Sequence, residues 1–135
     1  MTTKNQIYKC MVCGNITEVL HVGVGELVCC GQPMTLQSEK INDEGQEKHL
    51  PVVESMPQDV CRGGDGYIVK IGADAHPMDE DHHIEWVEIK TKGGKVGKRY
   101  LQPDEKPETE FHTREDVLQF RAYCNVHGLW KKAVK

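Results

Sequence analysis

No stretch of this sequence approaches the ~18 consecutive apolar residues of a membrane-spanning helix, so no helical span is expected. The opening MTTKNQIYKCMVCG has no apolar core of the kind a secretory signal carries. The expected compartment is therefore the cytoplasm, where thiols stay reduced. Low-complexity tracts and internal repeats are both missing. Basic residues are outnumbered, 17 Lys and Arg against 21 Asp and Glu for a net charge of −4, and they form no clustered face. Nucleic acid is accordingly not expected as a partner.

The chain is instead rich in thiols and imidazoles, with six cysteines and seven histidines among 135 residues. In a reducing compartment that stock points to metal binding more than to disulfides. A composition of 38% hydrophobic and 28% charged residues fits a globular protein of one domain, or one domain plus a small module.

Four of the cysteines fall in the first 30 residues, as CMVCG (Cys10, Cys13) and CCGQPM (Cys29, Cys30). Between them HVGVGELV reads as a β-type run broken by Gly23 and Gly25. So short a module buries little core and usually needs a staple. The polar stretch QSEKINDEGQEK marks a boundary, giving expected units of residues 1–38 and 39–135. The second unit reads as mostly β, through YIVKIG and HHIEWVEIK, with KGGK as a hairpin turn into VGKRYLQ. QFRAYC alternates so that Phe120, Ala122 and Cys124 share one face. TREDVLQFRAYC has a helix-like opening, Thr113 with Asp116 three residues on. β-type segments on both sides favour a turn and then a strand.

A Cys-x-x-Cys knuckle aims two sulfurs at one point, and Gly14 suits its turn. With Cys29 and Cys30 it completes a four-thiolate set suited to zinc or iron. A zinc knob that only holds the fold explains the spacing as readily as a redox centre does. Adjacent residues on a strand face opposite ways, so the chain must turn at Cys29–Cys30, with help from Gly31.

A second set is spread over EKHLPV (His49), HPMDEDHHIEW (His76, His82, His83) and CNVHGLW (Cys124, His127). Any one of these histidines alone is more often an ordinary surface or core residue. Four imidazoles and one thiolate exceed the four ligands zinc usually takes. They suit an octahedral metal with one position open, such as iron(II). Blue copper is the rival, but it uses two histidines, one cysteine and a methionine, and no methionine follows His127, Met78 lying in another segment.

In order and together, YKCMVCGN, CCGQPM, EKHLPV, HPMDEDHHIEW and CNVHGLW resemble desulfoferrodoxin, a family of two-iron superoxide reductases. The resemblance covers nearly the whole chain. It implies an all-β protein, a small desulforedoxin- or rubredoxin-like module followed by an immunoglobulin-like β-sandwich. It implies iron on Cys10, Cys13, Cys29 and Cys30. A second iron would sit on His49, His76, His82 and His127 as equatorial ligands, with Cys124 axial. It implies one-electron reduction of superoxide to hydrogen peroxide, a small electron donor such as rubredoxin, and a homodimer. Lys48 would attract substrate and orient the protonating water. Glu47 would close onto the open position once iron is oxidised. The alternatives are a non-catalytic electron carrier, two-iron or blue-copper-like, and a zinc-stabilised binding module. Residues 55–66 look longer than the family's usual connection. There Cys61 matches no ligand position and reads as a free thiol. His83, His21 and His112 receive no ligand role.

Overall fold

The computed structural model describes residues 1–41, 45–56 and 65–134, with backbone only for Gln46, Glu47 and Asp65. The chain forms two compact units, Met1–Ser38 and Glu39–Lys135. Cys61 lies outside the described residues. No helix among the described residues is long and apolar enough to cross a membrane.

The first unit has five short strands: β1 (Ile7–Lys9), β2 (Ile16–Glu18), β3 (Val28–Cys29), β4 (Gln32–Pro33) and β5 (Thr35–Gln37). β1 lies between β2 and β5 in an antiparallel sheet, and β3 pairs with β4. Its buried apolar side chains are Ile7, Cys10 and Val19, while Met11, Val12, Leu20, Val24 and Val28 are exposed. Burying an aliphatic side chain is worth ~1.5–3 kcal/mol. Ordering each residue's backbone costs ~1–2 kcal/mol. So small a core does not offset the ordering of this module, and the cysteine group has to act as its staple. Of the expected β-type run after Leu20, only Val28 enters a strand, β3. Gly23 is held instead by both ends of Thr2: Thr2 N–H donates to Gly23 O at 2.9 Å and Gly23 N–H donates to Thr2 Oγ1 at 2.9 Å. These bonds occupy the groups a ladder would need.

The second unit opens with a single helical turn, α1 (Gln46–His49), that the sequence pattern did not announce. Seven strands follow: β6 (Pro51–Ser55), β7 (Asp65–Ile71), β8 (Ile84–Thr91), β9 (Val96–Tyr100), β10 (Glu108–Thr113), β11 (Val117–Cys124) and β12 (Gly128–Ala133). They form two antiparallel sheets, ordered β10-β7-β6 and β12-β11-β8-β9. Val69 and Ile71 of one sheet meet Ile84, Val87, Ile89, Phe120, Ala122 and Cys124 of the other in one core cluster. Tyr67 packs edge-on against Phe120 across it, 5.8 Å between ring centres. The protein is thus all-β, a cysteine module plus a β-sandwich.

TREDVLQFRAYC resolves as a turn and a strand. Glu115 N–H donates to Thr113 Oγ1 at 3.0 Å, and β11 begins at Val117. Phe120, Ala122 and Cys124 all face the core with no exposure. A register shift where Tyr123 pairs with Trp86 but Cys124 pairs with Ile84 lets Ile84 and Val87, three apart, share that face. The other face of this sheet is also closed. There Arg121 pairs with Glu88 and Glu39, and Trp86 stacks on Tyr123 at 4.5 Å.

The sandwich brings five strand ends to one edge. Pro51 at the start of β6 pairs with Ile71 at the end of β7. Cys124 at the end of β11 pairs with Ile84 at the start of β8 and with Gly128 at the start of β12.

Candidate metal centres

In the first unit Cys10, Cys13, Cys29 and Cys30 lie with their sulfurs within 4.8 Å of one another. Cys30 and Gly31 both have positive φ, 54° and 73°, between the paired residues Cys29 and Gln32. This is a two-residue hairpin turn of the kind that requires φ > 0 at both central positions. It is how neighbouring cysteines reach one point. In the knuckle Gly14 has φ 86°, its N–H donates to Cys10 O at 2.9 Å, and Cys13 N–H donates to Cys10 Sγ at 3.4 Å.

The sulfurs are 3.6 Å apart for Cys13–Cys29 and 3.9 Å for Cys29–Cys30. A tetrahedron with metal–sulfur bonds of ~2.3 Å has edges of about 3.8 Å, so the set fits a four-thiolate ion. The Cys13 amide draws the Cys10 thiol down to about 6, whereas hydrogen bonding with Cys13 and Cys29 pushes Cys30 up to about 12. The first thiolate forms easily and the last resists, so four negative sulfurs need a cation among them.

In the second unit His49, His76, His82, His127 and Cys124 converge with ligand atoms within 4.8 Å of one another. Ring centres are 4.6 Å apart for His49–His76, 4.7 Å for His76–His82, 4.9 Å for His82–His127 and 4.7 Å for His49–His127. His49 and His82, across the ring, are 6.4 Å apart. That exceeds the edges by nearly the ratio of a square's diagonal to its side. The four imidazoles therefore stand in a square.

Outer contacts fix which nitrogen points inward. His49 Nδ1 is 2.8 Å from Gly45 O, and His76 Nδ1 is 2.6 Å from Pro77 O. Each carbonyl holds its Nδ1 as the protonated nitrogen and frees Nε2 as a ligand. His76 Nε2 and His82 Nε2 are buried without a hydrogen-bond partner among the described residues. His49 Nε2 faces His127 Nδ1 at 3.0 Å, and Cys124 Sγ is 3.8 Å from the same Nδ1. Orphaned nitrogens aimed at one point beside a thiol are the arrangement of a ligand set.

Burial holds His76 down to about 4 and lowers His49 and His82, so all three are neutral at neutral pH. Burial raises the Cys124 thiol, against the amides of His127 and Val126 that lower it. His127 N–H donates to Cys124 Sγ at 3.4 Å, through a turn that Gly128 closes at φ 86°. Met78, the methionine a copper site would want, has its Sδ accepting the Ile84 amide at 3.4 Å and packs on the core.

The residue types favour iron over zinc in the second set: four imidazoles and a thiolate are one ligand too many for zinc. The comparisons agree. The sequence matches the profile of the desulfoferrodoxin N-terminal domain over residues 2–37 and that of desulfoferrodoxin over residues 41–133. This chain belongs to the desulfoferrodoxin family. A desulfoferrodoxin homolog of Archaeoglobus fulgidus is 52% identical over 131 residues, 97% of this chain and 98% of the relative. A desulfoferrodoxin of Nitratidesulfovibrio vulgaris is 47% identical, again over 97% and 98%. The superoxide reductase of Treponema pallidum is similar in structure, with TM-score 0.73 and 27% identity over 94% of this chain and 96% of that one. Membership of the desulfoferrodoxin family accounts for both ligand sets, each suited to iron.

Lys48 is exposed on α1, and its charge reaches His82, whose protonation it disfavours. The Glu47 side chain lies outside the described residues. His83 is not among the converging ligands.

Three supporting residues escaped the sequence reading. Asn125 staples the His82 loop to the Cys124 turn: His83 N–H donates to its Oδ1 and its Nδ2 donates to Asp81 O, both at 2.9 Å. An amide side chain between two ligands in a turn was a usable signal. Gly72, φ 86°, lies where an added Cβ would be 2.2 Å from Asp74 O and 2.6 Å from Lys48 O. Trp130 stacks on His49 with ring centres 4.6 Å apart and planes 13° from parallel. Trp130 ends the CNVHGLW motif, but its contact with His49 is distant in sequence.

Proposed function

We propose that the chain is a superoxide reductase, with iron on His49, His76, His82, His127 and Cys124 and substrate entering on the solvent side of that group. One observation carries this reading: the five converging ligands are unequally exposed, with Cys124, His49 and His76 buried, His82 half-buried and His127 exposed. The thiolate approaches from the core and the imidazole square opens outward. A centre meant only to pass electrons has no need of a side open to a small anion.

Iron held by these five residues would supply the one electron that the reduction needs. One superoxide, one electron and two protons give one hydrogen peroxide, and the oxygen–oxygen bond survives. The surrounding residues do the rest. The whole chain is negative, so attraction of an anion has to be local. Lys48, exposed and close enough to act on His82, provides that field and orients the water that delivers protons. Glu47, one residue earlier, offers the hard carboxylate that suits the oxidised centre. The Cys124 sulfur accepts the His127 amide proton, which steadies its negative charge inside the core.

The four-thiolate group has no room for substrate. Its role is secondary, electron relay or structural support, because a small redox protein such as rubredoxin can reduce the five-ligand centre directly.

The test mixes the ferrous full-length chain with superoxide and follows peroxide and dioxygen. One peroxide per superoxide with no dioxygen is expected. Dioxygen released from half the substrate would mark a dismutase, and no consumption an electron carrier; either overturns the proposal.

A further inference from the structure

Lys40 stands outside every ligand motif, 87 residues from His127, yet its main chain is built into the second site. Lys40 N–H donates to Leu129 O at 2.9 Å and Lys131 N–H donates to Lys40 O at 2.9 Å, a parallel bridge to Trp130. The ammonium then makes two contacts. It donates to His127 O at 2.7 Å and lies 5.4 Å from the centre of the Trp130 ring. Trp130 in turn stacks on His49. One cation thus touches the carbonyl of one ligand directly and the imidazole of another through an indole face, a contact that ring quadrupoles favour.

We propose that Lys40 is a positioning residue of the five-ligand centre: it fixes the Cys124–His127 turn and sets a positive charge against that turn's carbonyl, at His127. This rests on the reading of that centre as redox iron. Reduction adds one negative charge to the centre, and a nearby cation stabilises the more negative state. Lys40 is half-buried, so water and salt screen it only in part. The expected consequence is a centre that is easier to keep ferrous.

Three variants of the full-length iron-loaded chain separate charge from support. Lys40→Met keeps the aliphatic stem and loses charge and donor, Lys40→Gln keeps a donor without charge, and Lys40→Arg keeps the charge. The readouts are the midpoint potential and the thiolate-to-iron absorption of the five-ligand centre, with the four-cysteine centre as internal reference. Expected is a lowered potential in Met and Gln alike, wild-type behaviour in Arg, and a reference centre that does not move. A Gln variant matching wild type while Met falls would make Lys40 a hydrogen-bonded strut only. Three variants equal to wild type would remove its role. Either result overturns the proposal. If the Met variant fails to take up iron, the Gln–Arg pair decides alone. Absence of any thiolate-to-iron band in the wild-type protein would instead sink the functional reading, so the two failures are distinct.

Discussion

Acid should unfold the metal-free second unit through His76, and the size of the effect can be worked from its surroundings. His76 is 3% exposed, with Nδ1 held by the Pro77 carbonyl at 2.6 Å and Nε2 buried without a partner among the described residues. Burial lowers it from 6.5 to about 4. Between those values the unfolded chain binds a proton that the folded chain refuses, so stability rises with pH across the window and is lost as pH falls through it. At 1.36 kcal/mol per pKa unit the loss is roughly 3 kcal/mol, a large share of the ~5–15 kcal/mol that holds a typical domain. The assay is urea unfolding of the metal-free chain at pH 7, 5.5 and 4. It is followed by tryptophan fluorescence, since Trp86 and Trp130 both lie in the second unit. His76→Gln removes the titration, and its midpoint should fall less over the same range. Equal pH dependence of wild type and His76→Gln would refute the reasoning. Bound iron should move the wild-type loss to lower pH, because protons must then displace the metal.

Other outcomes follow from the same contacts. Asn125→Ala frees the His82 loop from the Cys124 turn and should weaken iron binding at the five-ligand centre by ~10–100-fold, measured by chelator competition. Gly72→Ala forces a Cβ against Lys48 O at positive φ, and should cost about 2 kcal/mol or more in denaturant unfolding while shifting the spectrum of the iron bound by His49. Lys48→Met should slow the bimolecular reaction with superoxide by about tenfold and flatten its dependence on ionic strength; unchanged salt dependence would place the attracting charge elsewhere.

Much of the second site was legible because its ligands lie in compact local motifs. CNVHG announces a chelating turn, and the structure supplies its mechanism, a left-handed Gly128 and an amide on the Cys124 sulfur. The inward face of β11 was legible from alternation. The bulge that sets Ile84 opposite Cys124 was not, because register shifts depend on the partner strand. HVGVGELV misled because propensity describes a residue's fit to a pleated surface, and here Thr2 takes the backbone groups of Gly23. α1 is a single turn, too short for any periodicity to reveal. Lys40 and Trp130 join the site through contacts distant in sequence, which no local pattern encodes.

The most direct test is rapid mixing of the fully reduced, iron-loaded chain with superoxide while the absorption of both centres is followed. The account predicts that the thiolate-to-iron band of the His49, His76, His82, His127 and Cys124 centre appears first, at a rate proportional to superoxide, with peroxide formed and the four-cysteine centre still reduced. Oxidation of the four-cysteine centre ahead of it, or at a superoxide-dependent rate of its own, would contradict the account.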